Sequence, residues 1–63
     1  MKLYIARDED GSLYLYDNIP IKKGAYFHPQ RGYDMMKLNA TLFPEVTFNN
    51  SPQEVEIKLT KLC

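Results

Sequence analysis

A chain of 63 residues has room for one small core and no second lobe, and it sits near the lower limit for folding without a metal or disulfides. Lysine plus arginine balances aspartate plus glutamate at eight each, so no net field directs the chain to nucleic acid, an anionic membrane or an acidic partner. The single cysteine, Cys63, excludes an intrachain disulfide and any Cys/His set with metal-ligand spacing, and a reducing, cytoplasmic setting is expected.

The first predicted element is a β-hairpin over Leu3 to Tyr16, two alternating apolar runs around an acidic turn that contains Asp10-Gly11. A two-residue loop would mix tyrosines and aliphatics on both faces. A three-residue loop, Glu9-Asp10-Gly11, closes with glycine in the left-handed conformation and sets Asp8 opposite Ser12, Ile5 opposite Leu15 and Tyr4 opposite Tyr16. Leu3, Ile5, Leu13 and Leu15 then share one face, and Tyr4, Ala6, Tyr14 and Tyr16 the other. Because a one-residue slip sends every side chain to the opposite face, this segregation selects the three-residue loop.

Asp17-Asn18-Ile19-Pro20 ends the second strand, since proline cannot donate to a ladder. Ile21-Lys22-Lys23-Gly24 reads as a turn leading into a short third strand, Ala25 to His28, stopped by Pro29. Pro29 to Asp34 reads as a loop. Met35 to Phe43 has a helical option, in which Asn39 caps a single turn over Ala40 to Phe43 before Pro44. Pro44 to Phe48 is a short extended piece, and Asn49-Asn50-Ser51-Pro52 is a turn.

The last segment offers a choice. Ser51-Pro52-Gln53-Glu54 fits a helix capping box, whereas Val55, Ile57 and Leu59 alternate with Glu56, Lys58 and Thr60 at a period of two. We take the strand. The expected fold is mainly β: a small twisted antiparallel sheet or incomplete barrel of four or five short strands built on the N-terminal hairpin, with at most one short helical turn. Its expected core is Leu3, Ile5, Leu13, Leu15, Val46, Phe48, Val55, Ile57 and Leu59.

No apolar run approaches the roughly 20 residues of a membrane helix. Met1-Lys2 leads straight into the first strand, so no secretory leader and no membrane partner are expected. The composition departs from the ordinary in its five tyrosines and three phenylalanines. Tyrosine combines wide apolar area with a polar tip, which suits a binding surface as well as a small core.

Three groups of residues are candidate sites. Tyr4, Tyr14 and Tyr16 form a face that a protein partner or a second copy of the chain could contact, unless the segment Gly32 to Phe43 folds across it with Met35, Met36 and Leu38. Lys22, Lys23, Tyr26, His28 and Arg31 lie in a stretch without acidic side chains, the basic and aromatic mixture that stacks bases and neutralises phosphates. The plainer reading has Tyr26 and Phe27 in the core and the cations solvated. Asp8-Glu9-Asp10-Gly11-Ser12 has the composition of a calcium loop but lacks its further ligands and closing glutamate, and reads as a polar turn. His28 is the only imidazole, with no serine or cysteine near it in sequence, so no catalytic set and no cofactor are expected.

At Leu3-Tyr4-Ile5-Ala6-Arg7-Asp8, Asp10-Gly11-Ser12-Leu13 and Leu42-Phe43-Pro44-Glu45-Val46-Thr47-Phe48-Asn49-Asn50-Ser51-Pro52, followed by Glu54-Val55-Glu56, the chain resembles small uncharacterised proteins of gut bacteria and of the phages and mobile elements that infect them. The resemblance covers both ends and leaves Ile19 to Asn39 unmatched. It carries no site residues and implies a small accessory protein that binds rather than catalyses. The expected function is therefore that of a non-enzymatic interaction protein, which docks on a protein partner or self-associates through the tyrosine face. The alternative is a binder of nucleic acid or a phosphorylated small molecule through the stretch 22–33.

Overall fold

The structure, a computed structural model, describes residues 2–56. These form strands β1 (Lys2–Arg7), β2 (Leu13–Tyr16), β3 (Ile21–Lys23), β4 (Tyr26–His28), β5 (Met35–Leu38) and β6 (Gln53–Glu56), with no helix among them. A four-stranded antiparallel sheet runs in the order β5-β2-β1-β6, β3 and β4 make a separate two-stranded sheet, and the arrangement does not close into a barrel.

The β1–β2 register pairs Tyr4 with Tyr16 and Ile5 with Leu15, as the three-residue loop requires. Asp8 N–H donates to Ser12 O at 2.8 Å, and Gly11 takes φ +95°, a conformation that favours glycine. The segregated faces produce two cores. On the aliphatic face Ile5, Leu13 and Val46 are buried, with Leu15, Leu38 and Val55 packed against them. On the other, Ala6, Tyr16 and Phe27 are buried among Tyr4, Tyr14 and Phe48. Phe48 thus joins the tyrosine face rather than the aliphatic core expected for it. Ile57, Leu59 and the end of the last predicted strand lie outside the described residues; Gln53–Glu56 is strand, as its alternation requires.

Further expectations are corrected. Ile21–Lys23 is a strand, and the turn falls on Gly24-Ala25; Gly24 takes φ +59°, the glycine-first geometry of a tight hairpin. The single turn expected over Ala40 to Phe43 is present as a turn closed by Leu42 N–H to Asn39 O at 3.0 Å rather than as a helix, and Met35–Leu38 is a strand that does not cross the tyrosine face. It extends the sheet beside β2, with Leu38 opposite Leu13 and Met36 opposite Leu15. Asn39 still organises the chain after it, through Oδ1, which accepts from Thr41 N–H at 2.9 Å and Thr41 Oγ1 at 2.7 Å. The segment predicted to be extended after Pro44 is a turn closed by Val46 N–H to Phe43 O, so the sheet does not continue there.

Adjacent residues at the end of β1 hold a cover on each face. Arg7 belongs by alternation to the aliphatic face, where its guanidinium donates to five main-chain carbonyls: Nε to Val46 O at 2.6 Å, Nη1 to Gly11 O at 2.7 Å and Ala40 O at 3.0 Å, and Nη2 to Leu42 O at 3.0 Å and Phe43 O at 3.2 Å. This planar fork fixes the loop 40–46 that lowers Val46 onto Ile5 and Leu13. Asp8 turns the other way. Its buried carboxylate accepts Phe27 N–H at 2.8 Å, while Glu9 N–H donates to Ala25 O at 2.9 Å, so β4 is fastened over the tyrosines.

Candidate functional site

The tyrosine face is already occupied by the chain itself. Tyr16 is fully buried, its hydroxyl donating to Phe27 O at 3.3 Å, and burial, reinforced by Asp8 and Tyr14, pushes that hydroxyl up to about 12. Phe27 meets Phe48 edge to face at 5.9 Å between ring centroids. Tyr4 and Tyr14 are half-buried in the same cluster. As a contact surface the expected trio is therefore corrected: Tyr16 offers no area to a partner, because the β3–β4 hairpin and Phe48 cover it.

The basic stretch divides. In β3–β4, Lys22 pairs with Phe27 on the inner side, and its Nζ sits 4.3 Å from the ring centroid of Phe48, a cation–π contact within the fold. Ile21, Lys23, Tyr26 and His28 share the outer side by the same alternation, and all four are exposed. Arg31 lies in the following turn, exposed. Lys23, Tyr26 and His28 are thus brought together, whereas Lys22 is turned away from them.

At the acidic turn, Asp8 points into the protein and Asp10 accepts Ser12 N–H at 2.9 Å, a bond that holds the Asp10 carboxyl below its usual range. Their oxygens serve two separate backbone contacts. This is the geometry of a turn that ties down its own chain.

A surface that sequence alone did not single out is also open to solvent. Loop 40–46 covers only the turn end of the aliphatic face. Beyond it a groove of about 370 Å³ is lined by Ile5, Leu15, Leu38, Phe43, Val55 and Glu56, and a shallower one of about 150 Å³ runs past Leu3 and Leu15 to Met35 and Met36. The second groove ends at β5, an edge strand in which Met35 is 39 % and Met36 57 % exposed.

The direction of the main-chain groups along β5 follows from the ladders. Asp17 N–H donates to Asp34 O at 3.4 Å, which makes 17/34 a hydrogen-bonded pair in the register that joins Leu15 to Met36 and Leu13 to Leu38. Hydrogen-bonded pairs recur at every second residue, so Met36 and Leu38 aim their N–H and C=O groups at β2. The Asp8 to Ser12 bond fixes the other ladder consistently, since it turns the main-chain groups of Tyr14 and Tyr16 toward β1 and leaves those of Leu13 and Leu15 for β5. Met35 and Lys37 therefore present their N–H and C=O to the outer edge, where no described strand pairs with them. Sheet edges are usually guarded by charge, proline or a bulge. At the opposite edge β6 carries Glu54 and Glu56, whereas β5 has one charge, Lys37, among Met35, Met36 and Leu38.

No family model, no curated protein and no solved structure matches this chain. No described helix is long and apolar enough to cross a membrane.

Proposed function

We propose that the protein is a non-enzymatic interaction module that binds an extended segment of a protein partner by strand addition at β5. The observation that carries this reading is the edge of β5, guarded by the single charge of Lys37: outward main-chain groups at Met35 and Lys37 beside the exposed side chains of Met35 and Met36. Main-chain hydrogen bonds would supply affinity to an added strand, and every second side chain of that strand would extend the apolar face next to Met36 and Leu38. The interaction role expected from the sequence is kept, and its surface moves from the tyrosines to the strand beside them.

Selection from a random-peptide library tests it. Bound peptides should alternate apolar and polar residues and hold their affinity as salt rises, because the contact is backbone and apolar. Lys37→Pro removes only an outward N–H, a position where an edge strand tolerates proline, so it should abolish peptide binding and leave the melting curve in place. Peptides that bind Lys37→Pro as well as the parent chain would overturn the reading.

A second reading has one observation in its favour, the gathering of Lys23, Tyr26 and His28 on the outer side of β3–β4. A phosphate-bearing ligand there would weaken steeply with salt and with Lys23→Ala, and would be indifferent to Lys37→Pro.

A further inference from the structure

The alternation of main-chain direction along β5 also narrows the choice of partner. We infer that the strand added at β5 is the β5 of a second copy of this chain, antiparallel and centred on Met36. This rests on the strand-addition reading and goes beyond it by naming the occupant and its register.

Three two-fold registers bring the outward groups of two β5 strands together while keeping the apolar faces on the same side. Centring on Lys37 sets Lys37 directly against its own copy, a like-charge pair. Centring on Met35 places Lys37 against Tyr33 and Met36 against Asp34 of the second chain, and both of those residues precede the strand. Centring on Met36 joins Met35 to Lys37 of the second copy, and Lys37 to its Met35. Both hydrogen-bonded pairs then fall inside the strand and give about four main-chain bonds.

In that register Met36 meets Met36 across the axis on the aliphatic face, and the two exposed thioethers cover one another. Each Lys37 lays its aliphatic stem along a Met35 of the other chain. The formal charge of the chain is zero, so two copies approach without net repulsion. The same patch meets itself, which closes the assembly at two and leaves no further β5 edge exposed.

Sedimentation equilibrium of the full chain across concentration and salt tests this, with two variants at exposed positions of the strand. The parent chain should show a monomer–dimer equilibrium with a dissociation constant roughly between 10 µM and 1 mM and little salt dependence. Met35→Lys sets a lysine against Lys37 of the other copy twice per dimer, and should weaken association about tenfold or more. Adding Lys37→Glu to it turns both pairs into opposite charges and should restore the dimer in this register alone. Circular-dichroism melts of the monomers should be unchanged, which keeps misfolding from imitating the result.

A parent chain that stays monomeric at millimolar concentration overturns the inference, as does a dimer indifferent to Met35→Lys or one that the second substitution fails to restore. If the parent is monomeric while library peptides still bind in a Lys37→Pro-sensitive way, the second copy is excluded and strand addition stands.

Discussion

Replacing Arg7 with methionine is expected to destabilise the protein by about 2–4 kcal/mol, roughly half of what a chain of this length has. Methionine keeps the unbranched stem and removes the five donors that hold Val46, Gly11, Ala40, Leu42 and Phe43. Bonds to a charged donor are worth about 1.5–3 kcal/mol each, but the carbonyls of the exposed loop can turn to water, so the sum is far below five full bonds. Arg7→Lys separates charge from geometry. A lysine offers three donors from one point and cannot reach carbonyls spread around a planar fork, so it should recover less than half of the loss. Urea unfolding of the three proteins checks this. An Arg7→Lys curve that overlays the parent would mean that the loop is held by packing of Val46 alone.

Tyr16→Ala should have the larger effect, about 3–5 kcal/mol, because it removes a ring with no exposed surface from the centre of the second core. Measured by thermal denaturation, the variant should lose most of its cooperative transition. The hydroxyl is read separately through pH. Its folded value of about 12 lies above the ordinary 10, so the folded state holds the proton more tightly. The stability linked to it is present below pH 10 and is lost as pH rises through 12. Tyr16→Phe should flatten the alkaline limb of the stability curve between those values. A limb unchanged in Tyr16→Phe would assign it to other groups.

Much of this fold was legible because it is local. The Glu9-Asp10-Gly11 turn set the hairpin register, the register set both faces, and the alternation of Val55 with its neighbours identified β6 against the capping box. What escaped was short or non-local. Ile21–Lys23 is too brief to display a period, and its paired lysines next to Gly24 resemble a turn. Met35–Leu38 carries three apolar residues in four, so no alternation marks it as a strand. Which segment would cover the tyrosines depended on contacts between residues far apart, such as Asp8 with Phe27. One signal was present and unused: in the three-residue register Arg7 falls on the aliphatic face, where a guanidinium must find acceptors. Four of its five acceptors belong to the loop that shapes the groove. The β5 edge was invisible from sequence because an edge is a property of strand order.

Residue-resolved amide hydrogen exchange of β5, in dilute and in concentrated solution, tests the outer edge most directly. Met36 and Leu38 amides should be protected at both concentrations, while those of Met35 and Lys37 should exchange fast when dilute and slow down as copies associate. Equal protection of all four amides in dilute solution would mean that the edge is covered within the single chain, and would contradict the account.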